Sequence, residues 1–260
     1  QFIWNYYWKF IQTANNMITV VDPENATDEQ LGYLGVGHAF RALAYLDMAQ
    51  MYEFLPNDVY PEGTNNEGTE VLRYTVPIVD ENTTEEQAAY NPRVKHEEMF
   101  DFILGDLDKA EKYTANLVNT FGNTMPDLAC VYGLKARLYM WDKNYSKAQE
   151  YARKAIDAAK VKPITEGAAL STTSGYNNPA DFMWAASQNS ETYAVQTGII
   201  NWTSWLSNQT SFGYTGPSTS LYNKLHPYDW FESSAPIMFV RLHPYKPAQC
   251  LPDHHQSYIY

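Results

Sequence analysis

Apolar residues recur every three to four positions in five segments of about the first 160 residues, and this spacing constrains the fold most strongly. Such a period places apolar side chains on one face of an α-helix. The five predicted helices are Trp4 to Val20, Leu34 to Leu55, Lys95 to Tyr113, Pro126 to Trp141 and Tyr145 to Lys160. The sequence therefore predicts a mostly α fold.

The last two of these segments carry the most specific local pattern. Asp142-Lys143-Asn144 indicates a turn between them, and Pro126 is expected near the first turn of its helix, where a missing N–H is harmless. Aromatic and small residues follow tetratricopeptide-repeat (TPR) spacing at Tyr132, Ala136, Tyr139, Tyr145, Ala148 and Ala155. Since an isolated repeat cannot bury its apolar face, we expect Leu34 to Leu55 and Lys95 to Tyr113 to pair and stack on this hairpin.

Long stretches between and after these helices lack a helical period. Residues 56 to 94 are rich in proline, glycine and asparagine, which predicts an irregular crossing with one short strand or turn. Residues 165 to 223 are polar and poor in charge, and no regular structure is assigned from His226 onward. We therefore expect a single domain over residues 1–260, with a TPR-like helical part over about 1–160 and a loop-rich, ligand-binding part over about 161–260.

Charge and hydropathy exclude two classes of partner. The formal net charge is -12, whereas binding to phosphate backbones or anionic lipids relies on clustered Lys and Arg, so nucleic acid is excluded. There is no run of about 18 apolar residues that could cross a membrane. The chain starts at Gln1 without a basic or apolar leader, so we expect a processed chain or fragment whose targeting or lipid-anchor signal is not present here.

Catalytic and metal sites have little support in the sequence. Four histidines fall near the end of the chain, at His226, His243, His254 and His255. Adjacent histidines point in different directions, and no HExxH or Cys-x-x-Cys spacing is present. The carboxylate pairs Glu85-Glu86 and Glu97-Glu98 are sequence neighbours, whereas glycoside hydrolysis needs two carboxyls held about 5 to 10 Å apart across a sugar. The sequence predicts no catalytic residue, no metal and no cofactor.

Several segments resemble, in order, those of one protein family. Tyr7 to Asn15 is similar to an early family helix that ends in Ala-Asn. Gly35 to Met48, continued by Met51 to Pro56, resembles a hallmark Gly-Glu-Ala-x-Phe-Leu-Arg-Ala-x-x-Tyr-Phe-Asp-Leu helix. Further similar segments are Pro77 to Val79, Asn91 to Arg93, Gly105 to Ala110, Leu128 to Ile156 and Asp181 to Trp184. The resemblance is to the SusD/RagB family of outer-membrane nutrient-binding lipoproteins, and it covers roughly residues 1 to 232.

The sequence departs from the family pattern at three points. Val36 replaces the usual Glu, and Glu53 replaces a common Gly. The Glu-rich Tyr-Leu-x-x-Ala-Glu-Ala motif near the family's C-terminus is not recognisable. Family proteins are also much longer, so we expect this chain to be truncated at both ends.

The resemblance implies a SusD-like α/α superhelix of TPR-like hairpins with long irregular loops. It implies a surface lipoprotein of the outer membrane of Bacteroidetes that captures oligosaccharides or polysaccharides and delivers them to a SusC-like TonB-dependent transporter. Contact with the membrane is expected only through a lipid anchor absent from this chain. The alternatives are a TPR-type protein-interaction scaffold without direct sugar binding and, with least support, a glycan-active enzyme.

A glycan site needs flat aromatic faces for the C–H patches of sugars and amides for their hydroxyls, and it needs no shifted pKa. The loop-rich part supplies both. The predicted glycan-binding residues are Trp202, Trp205, Tyr214, Trp184, Asn208 and Trp230. Trp202 and Trp205 are three positions apart and would share one face of a helical turn. For each Trp the alternative is packing onto the helical hairpin, because Trp is usually well buried.

Two other groups of residues indicate structure rather than binding. The aromatic cluster Trp4, Tyr6, Tyr7 and Trp8 has helical spacing, which favours core packing. Arg41 and Asp47 lie inside the hallmark helix. We expect both to cap carbonyls or to pair across helices rather than to contact a ligand.

Overall fold

The computed structural model describes residues 2–57, 61–118, 120–165, 167 and 179–185. Within them the chain forms α1 (Phe2–Val20), α2 (Asp28–Tyr52), α3 (Glu85–Ala89), α4 (His96–Thr114), α5 (Leu128–Trp141) and α6 (Tyr145–Ala158), then a 3-10 turn at Pro179–Asp181. This helical content confirms the predicted mostly α fold. No helix in this described part is both long and apolar enough to span a bilayer.

The core lies between α2, α4 and the helices that flank them. As predicted, α2 pairs with α4, while α1 covers α2 and α5 packs on α4. The fully buried apolar side chains at this centre include Ile11, Tyr45, Leu46, Met48, Met99, Ile103, Leu107, Val131 and Leu138. A Cβ on Gly35 would lie 2.7 Å from the backbone nitrogen of Thr114, so α2 approaches the end of α4 more closely than any side chain would allow.

The predicted TPR-like hairpin is formed by α5 and α6. Ala148 and Ala155 are buried on α6, and Tyr139 of α5 stacks on Tyr151 of α6 with ring centroids 5.5 Å apart. Pro126 was expected near the first turn of this hairpin's first helix, but it lies just outside α5. Asp127 caps α5 by accepting a hydrogen bond from the backbone N–H of Cys130, so Pro126 lies before the cap.

Two further differences from the prediction concern where helices begin: α2 starts earlier than expected, and α3 was not expected. Both helices begin with side-chain caps. α2 begins at Asp28 rather than Leu34, because Thr27 and Gln30 form a reciprocal capping box ahead of an exposed first turn. Thr84 and Gln87 form the same device at α3, a short helix inside the predicted irregular crossing. In that crossing the described residues form isolated antiparallel bridges, Thr64 with Glu70 and Tyr74 with Lys95.

Arg41 is the centre of a buried polar network. Its Nε and Nη2 donate to the two carboxylate oxygens of Asp106, each at 2.7 Å, and its Nη1 donates to Asn15 Oδ1 at 2.9 Å and to the Glu81 carboxylate. The Nδ1–H of His38 donates to Asp106 at 2.8 Å, since a carboxylate can only accept. The network joins α1, α2, α4 and the loop before α3, which confirms pairing across helices for Arg41.

The N-terminal aromatic cluster and Asp47 are also structural. Trp4 and Trp8 pack on the core and meet edge to face, whereas Tyr6 is about half exposed. Asp47 accepts hydrogen bonds from Tyr7 of α1 at 3.1 Å and from Arg137 of α5 at 2.7 Å. The predicted core packing is confirmed for Trp4, Tyr7 and Trp8, and cross-helix pairing is confirmed for Asp47.

Glu53, one of the departures from the family pattern, is the C-cap residue of α2, and its carboxylate accepts hydrogen bonds from three side chains. Its Oε1 accepts from Arg73 Nε and from His96 Nδ1, both at 3.0 Å, and its Oε2 accepts from Trp141 Nε1 at 2.8 Å. The His96 ring lies against Trp141 with centroids 3.8 Å apart. This carboxylate therefore ties the ends of α2 and α5 to the start of α4.

The buried network predicts an acid-sensitive fold. Burial by itself raises the pKa of Asp106. The hydrogen bonds and charges of Arg41 and His38 lower this pKa by more than burial raises it, so the net pKa is below the ordinary 3.8. A carboxyl with a lowered pKa stabilises the fold above its unfolded pKa and loses that contribution as the pH falls through its folded pKa. Urea unfolding should therefore show a falling free energy below about pH 4, with a shallower fall in Asp106→Asn. Equal slopes in the two proteins would contradict this.

Candidate functional site

A cavity of ≈ 330 Å³ lies where the helical part meets the first described residues of the loop-rich part. It is bounded by the loop before α5, the end of α6 and the segment 179–185. The side chains that determine its chemistry are Asn123, Met125, Asp127, Lys160, Phe182 and Met183. Its walls thus combine apolar surface with one amide and one pair of opposite charges.

Hydrogen bonds fix the segment 179–185 against the loop before α5. Asn123 Nδ2 donates to the carbonyl of Phe182, and the N–H of Ala185 donates to the carbonyl of Asn123, both at 2.9 Å. The thiol of Cys130 lies 3.5 Å from the carbonyl of Met183. The loop itself turns at Gly122, which has a φ of 82°. This wall of the cavity is therefore held by the helical part.

Trp184 is the one predicted glycan-binding residue in the described part of the chain. It is half-buried, its ring meets Phe40 of α2 edge to face with centroids 5.4 Å apart, and its Nε1–H donates to the carbonyl of Thr124 at 3.0 Å. These contacts pack Trp184 against α2 and the loop before α5, rather than against the α5–α6 hairpin of the packing alternative, and they anchor the segment. Glycan contact through its remaining exposed surface stays a prediction.

Phe182 is the exposed aromatic of this cavity, and sequence analysis did not single it out. Its side chain is 42% exposed, although it belongs to a four-residue family-like segment. Nearby, Phe121 is also exposed and stacks on Tyr33 with centroids 6.5 Å apart. No spacing signal distinguishes these rings from buried ones, because their exposure depends on how the loops fold back on the helices.

The titratable groups described around the cavity are an ion pair and a protonated thiol. Lys160 Nζ lies 3.5 Å from Asp127 Oδ2, so these two charges are paired. Burial raises the pKa of the Cys130 thiol to about 12, which keeps it protonated and poorly nucleophilic at neutral pH. Among the described residues, no three His, Cys, Asp or Glu side chains are grouped to hold a metal ion.

The other predicted site residues are not placed by the structure. Trp202, Trp205, Asn208, Tyr214 and Trp230 lie outside the described residues. The same holds for the four histidines weighed as metal ligands, His226, His243, His254 and His255. Their roles remain as the sequence predicts them.

Comparison with known proteins gives a fold but no sequence relative. No family model and no curated protein matches the sequence. A solved SusD-like carbohydrate-binding protein from Bacteroides vulgatus matches with a TM-score of 0.56 and 20% identity, over 73% of this chain and 37% of that one. A SusD superfamily protein from Bacteroides thetaiotaomicron matches with a TM-score of 0.46 and 18% identity, over 62% and 33%. A SusD-like protein from Bacteroides fragilis gives 0.43 and 21%, over 59% and 26%.

The likeness to the Bacteroides vulgatus protein concerns architecture. This chain spans little more than a third of that protein's length. The match nevertheless extends over nearly three quarters of this chain. This chain therefore has a SusD/RagB-like fold.

Proposed function

We propose that this chain is the glycan-binding part of a non-enzymatic cell-surface protein that captures oligosaccharides or polysaccharides. The observation that carries the proposal is the exposed Phe182 ring at a cavity where the charged side chains among the described residues, Asp127 and Lys160, are paired with each other. The fold likeness supports it, because the Bacteroides vulgatus protein is a carbohydrate-binding protein.

The proposed mechanism is stacking and hydrogen bonding without chemical change. An aromatic face covers the C–H patch of a sugar ring, while amides such as the predicted Asn208 exchange hydrogen bonds with its hydroxyls. The predicted residues Trp202, Trp205, Tyr214 and Trp230 would supply further aromatic faces, and Asn208 a further amide. We expect several such contacts, since one ring alone gives weak binding.

Delivery is the second half of the proposal. We propose that a lipid anchor, outside this chain, holds the full-length protein on the outer membrane and that bound glycan passes to a SusC-like TonB-dependent transporter. Support for this comes from the ordered family-like segments, above all Gly35 to Met48. Co-purification of the transporter with the full-length protein would test it.

A TPR-type protein-interaction scaffold is the second candidate. The α5–α6 hairpin exposes Met140 and Ile156, each by 54%. Such apolar side chains on a helical repeat can contact a partner protein. A pull-down from bacterial envelopes that is lost in Ile156→Ala, with glycan binding unchanged, would support this role.

Phe182→Ala should weaken glycan binding about three- to tenfold, because the variant loses one stacking face and keeps the rest of the site. Titration calorimetry with maltohexaose, cellohexaose, mannohexaose and galactohexaose gives the dissociation constants. Trp202→Ala and Trp205→Ala should weaken binding similarly, and Ile156→Ala serves as the exposed control. If none of the aromatic variants changes the affinity, this assignment of the site is wrong.

A further inference from the structure

A second concavity, of ≈ 590 Å³, lies in the crossing between α2 and α4 and includes α3. It opens broadly to solvent. Its polar and aromatic lining consists of Asp80, Asn82, Thr83, Gln87, Tyr90 and Asn91. None of these residues belongs to the cavity at Phe182, and neither the sequence analysis nor the proposed function assigns them to binding.

The rim of this concavity is tied to the buried core. The hydroxyl of Tyr45 donates to the carbonyl of Val79 at 2.9 Å and accepts from its N–H at 2.8 Å. Asn15 donates to the same carbonyl at 3.0 Å, and Glu81 pairs with the buried Arg41. A rim fixed in this way loses little conformational freedom when a ligand binds, which favours affinity.

Tyr90 supplies the stacking surface of this concavity, because its side chain is 87% exposed. The side-chain amides of Gln87 and Asn91 lie beside it in the lining, and each makes a hydrogen bond through one of its two polar groups. Gln87 accepts a hydrogen bond at Oε1 from the Thr84 N–H, and Asn91 donates through Nδ2 to the Ile78 carbonyl. Within the described part, the Nε2 of Gln87 and the Oδ1 of Asn91 therefore remain available to sugar hydroxyls, one as donor and one as acceptor.

The charge of the lining distinguishes classes of glycan. Burial raises the pKa of Asp80, but hydrogen bonds from Thr83 and Asn82 and the charge of Arg41 bring it below its ordinary value, so Asp80 is ionised at neutral pH. None of the described residues that line the concavity is Lys, Arg or His. The nearby Arg93 donates to the Thr75 carbonyl and lies over the Trp4 ring. An ionised carboxylate accepts hydrogen bonds from hydroxyls and repels other carboxylates.

We propose that Tyr90 and its neighbouring amides form a second saccharide subsite that takes neutral glycans in preference to uronate-containing ones. This inference rests on the proposed glycan-binding function and adds a separate contact and a substrate class. Together with the cavity at Phe182, the subsite would let the protein hold a long chain at two places.

Tyr90→Ala should raise the dissociation constant of the tightest-binding neutral hexasaccharide about tenfold, since the stacking face is lost. The hexasaccharides are maltohexaose, cellohexaose, mannohexaose and galactohexaose, titrated by calorimetry. Tyr90→Phe retains the ring and should stay within about twofold of the wild type. Tyr145→Ala, an exposed tyrosine of α6, is the matched control and should not change the affinity.

A second titration tests the substrate class. The C6-oxidised form of the same hexasaccharide carries carboxylates and should bind the wild type at least about tenfold more weakly. Asp80→Asn should reduce the difference in affinity between the neutral and the oxidised hexasaccharide, because it removes the negative charge that repels the carboxylates. Equal affinity for the two forms would overturn the preference for neutral glycans.

The outcomes separate this inference from the proposed function. If Phe182→Ala weakens binding and Tyr90→Ala does not, the second subsite is wrong while the proposed function stands. If the wild type binds none of the four hexasaccharides, both are wrong. Weaker binding in both variants, with Tyr145→Ala unchanged, supports both.

Discussion

Replacing Arg41 by Met should lower the free energy of unfolding by about 3 to 5 kcal/mol, the usual cost of removing one partner of a buried ion pair. Arg41 is 1% exposed and Asp106 is 2% exposed, so neither charge can turn to water. Without the guanidinium, Asp106 keeps His38 as its one side-chain donor among the described residues, and Asn15 and Glu81 also lose a partner. The loss should appear as a lower urea midpoint measured by circular dichroism.

An exposed arginine provides the control for this experiment. Arg137 pairs with Asp47 but is 47% exposed, so Arg137→Met should cost less than about 1 kcal/mol. The double variant Arg41→Met/Asp106→Leu should recover much of the lost stability, because apolar side chains can replace a buried ion pair. A cost below about 1 kcal/mol for Arg41→Met alone would contradict the role assigned to this network.

Glu53→Ala should lower the free energy of unfolding by about 2 to 4 kcal/mol, because it removes an acceptor from the buried His96 and from the partly buried Trp141 and Arg73. The Glu53 side chain is 6% exposed and His96 is 1% exposed. Arg73 and Trp141 lose the same acceptor. Since these donors come from three places in the chain, the ends of α2 and α5 should both become less stable.

Urea unfolding measures the total loss in Glu53→Ala, and hydrogen exchange at the end of α2 locates it. Glu86→Ala, an exposed substitution in the first turn of α3, is the control and should leave the urea midpoint unchanged. The urea midpoint of Glu53→Gln should lie between those of Glu53→Ala and Glu86→Ala, because the amide oxygen can still accept a hydrogen bond but carries no charge. An unaltered midpoint in Glu53→Ala would show that Glu53 contributes little to the joint between the helices.

Long periodic helices were predictable from the sequence, and short capped ones were not. The period of Lys95 to Tyr113 located α4 to within one residue at each end, because its core-facing side chains repeat every turn. α3 has five residues and no buried side chain, so it leaves no period to detect. The early start of α2 was readable in principle, since Thr27 and Gln30 have capping-box spacing.

The roles of individual site residues could not be predicted from the sequence where they depend on contacts with residues far away in the chain. The position of Arg41 in the hallmark helix indicated carbonyl capping or pairing across helices, but its partner Asp106 lies 65 positions away, so the sequence did not identify it. It gave Trp184 two possible roles, and only the contacts with Phe40 and Thr124 favour anchoring. The exposure of Phe182 and Tyr90 follows from loop conformation, which residue spacing does not encode.

Calorimetric titration of the wild-type chain with the four neutral hexasaccharides tests the central claim most directly, because heat reports both binding and turnover. We expect a saturable heat for at least one hexasaccharide, with the signal returning to baseline after every injection. Absence of heat with all four would contradict glycan binding. Sustained heat after each injection, accompanied by new reducing ends, would contradict a binding protein without catalysis.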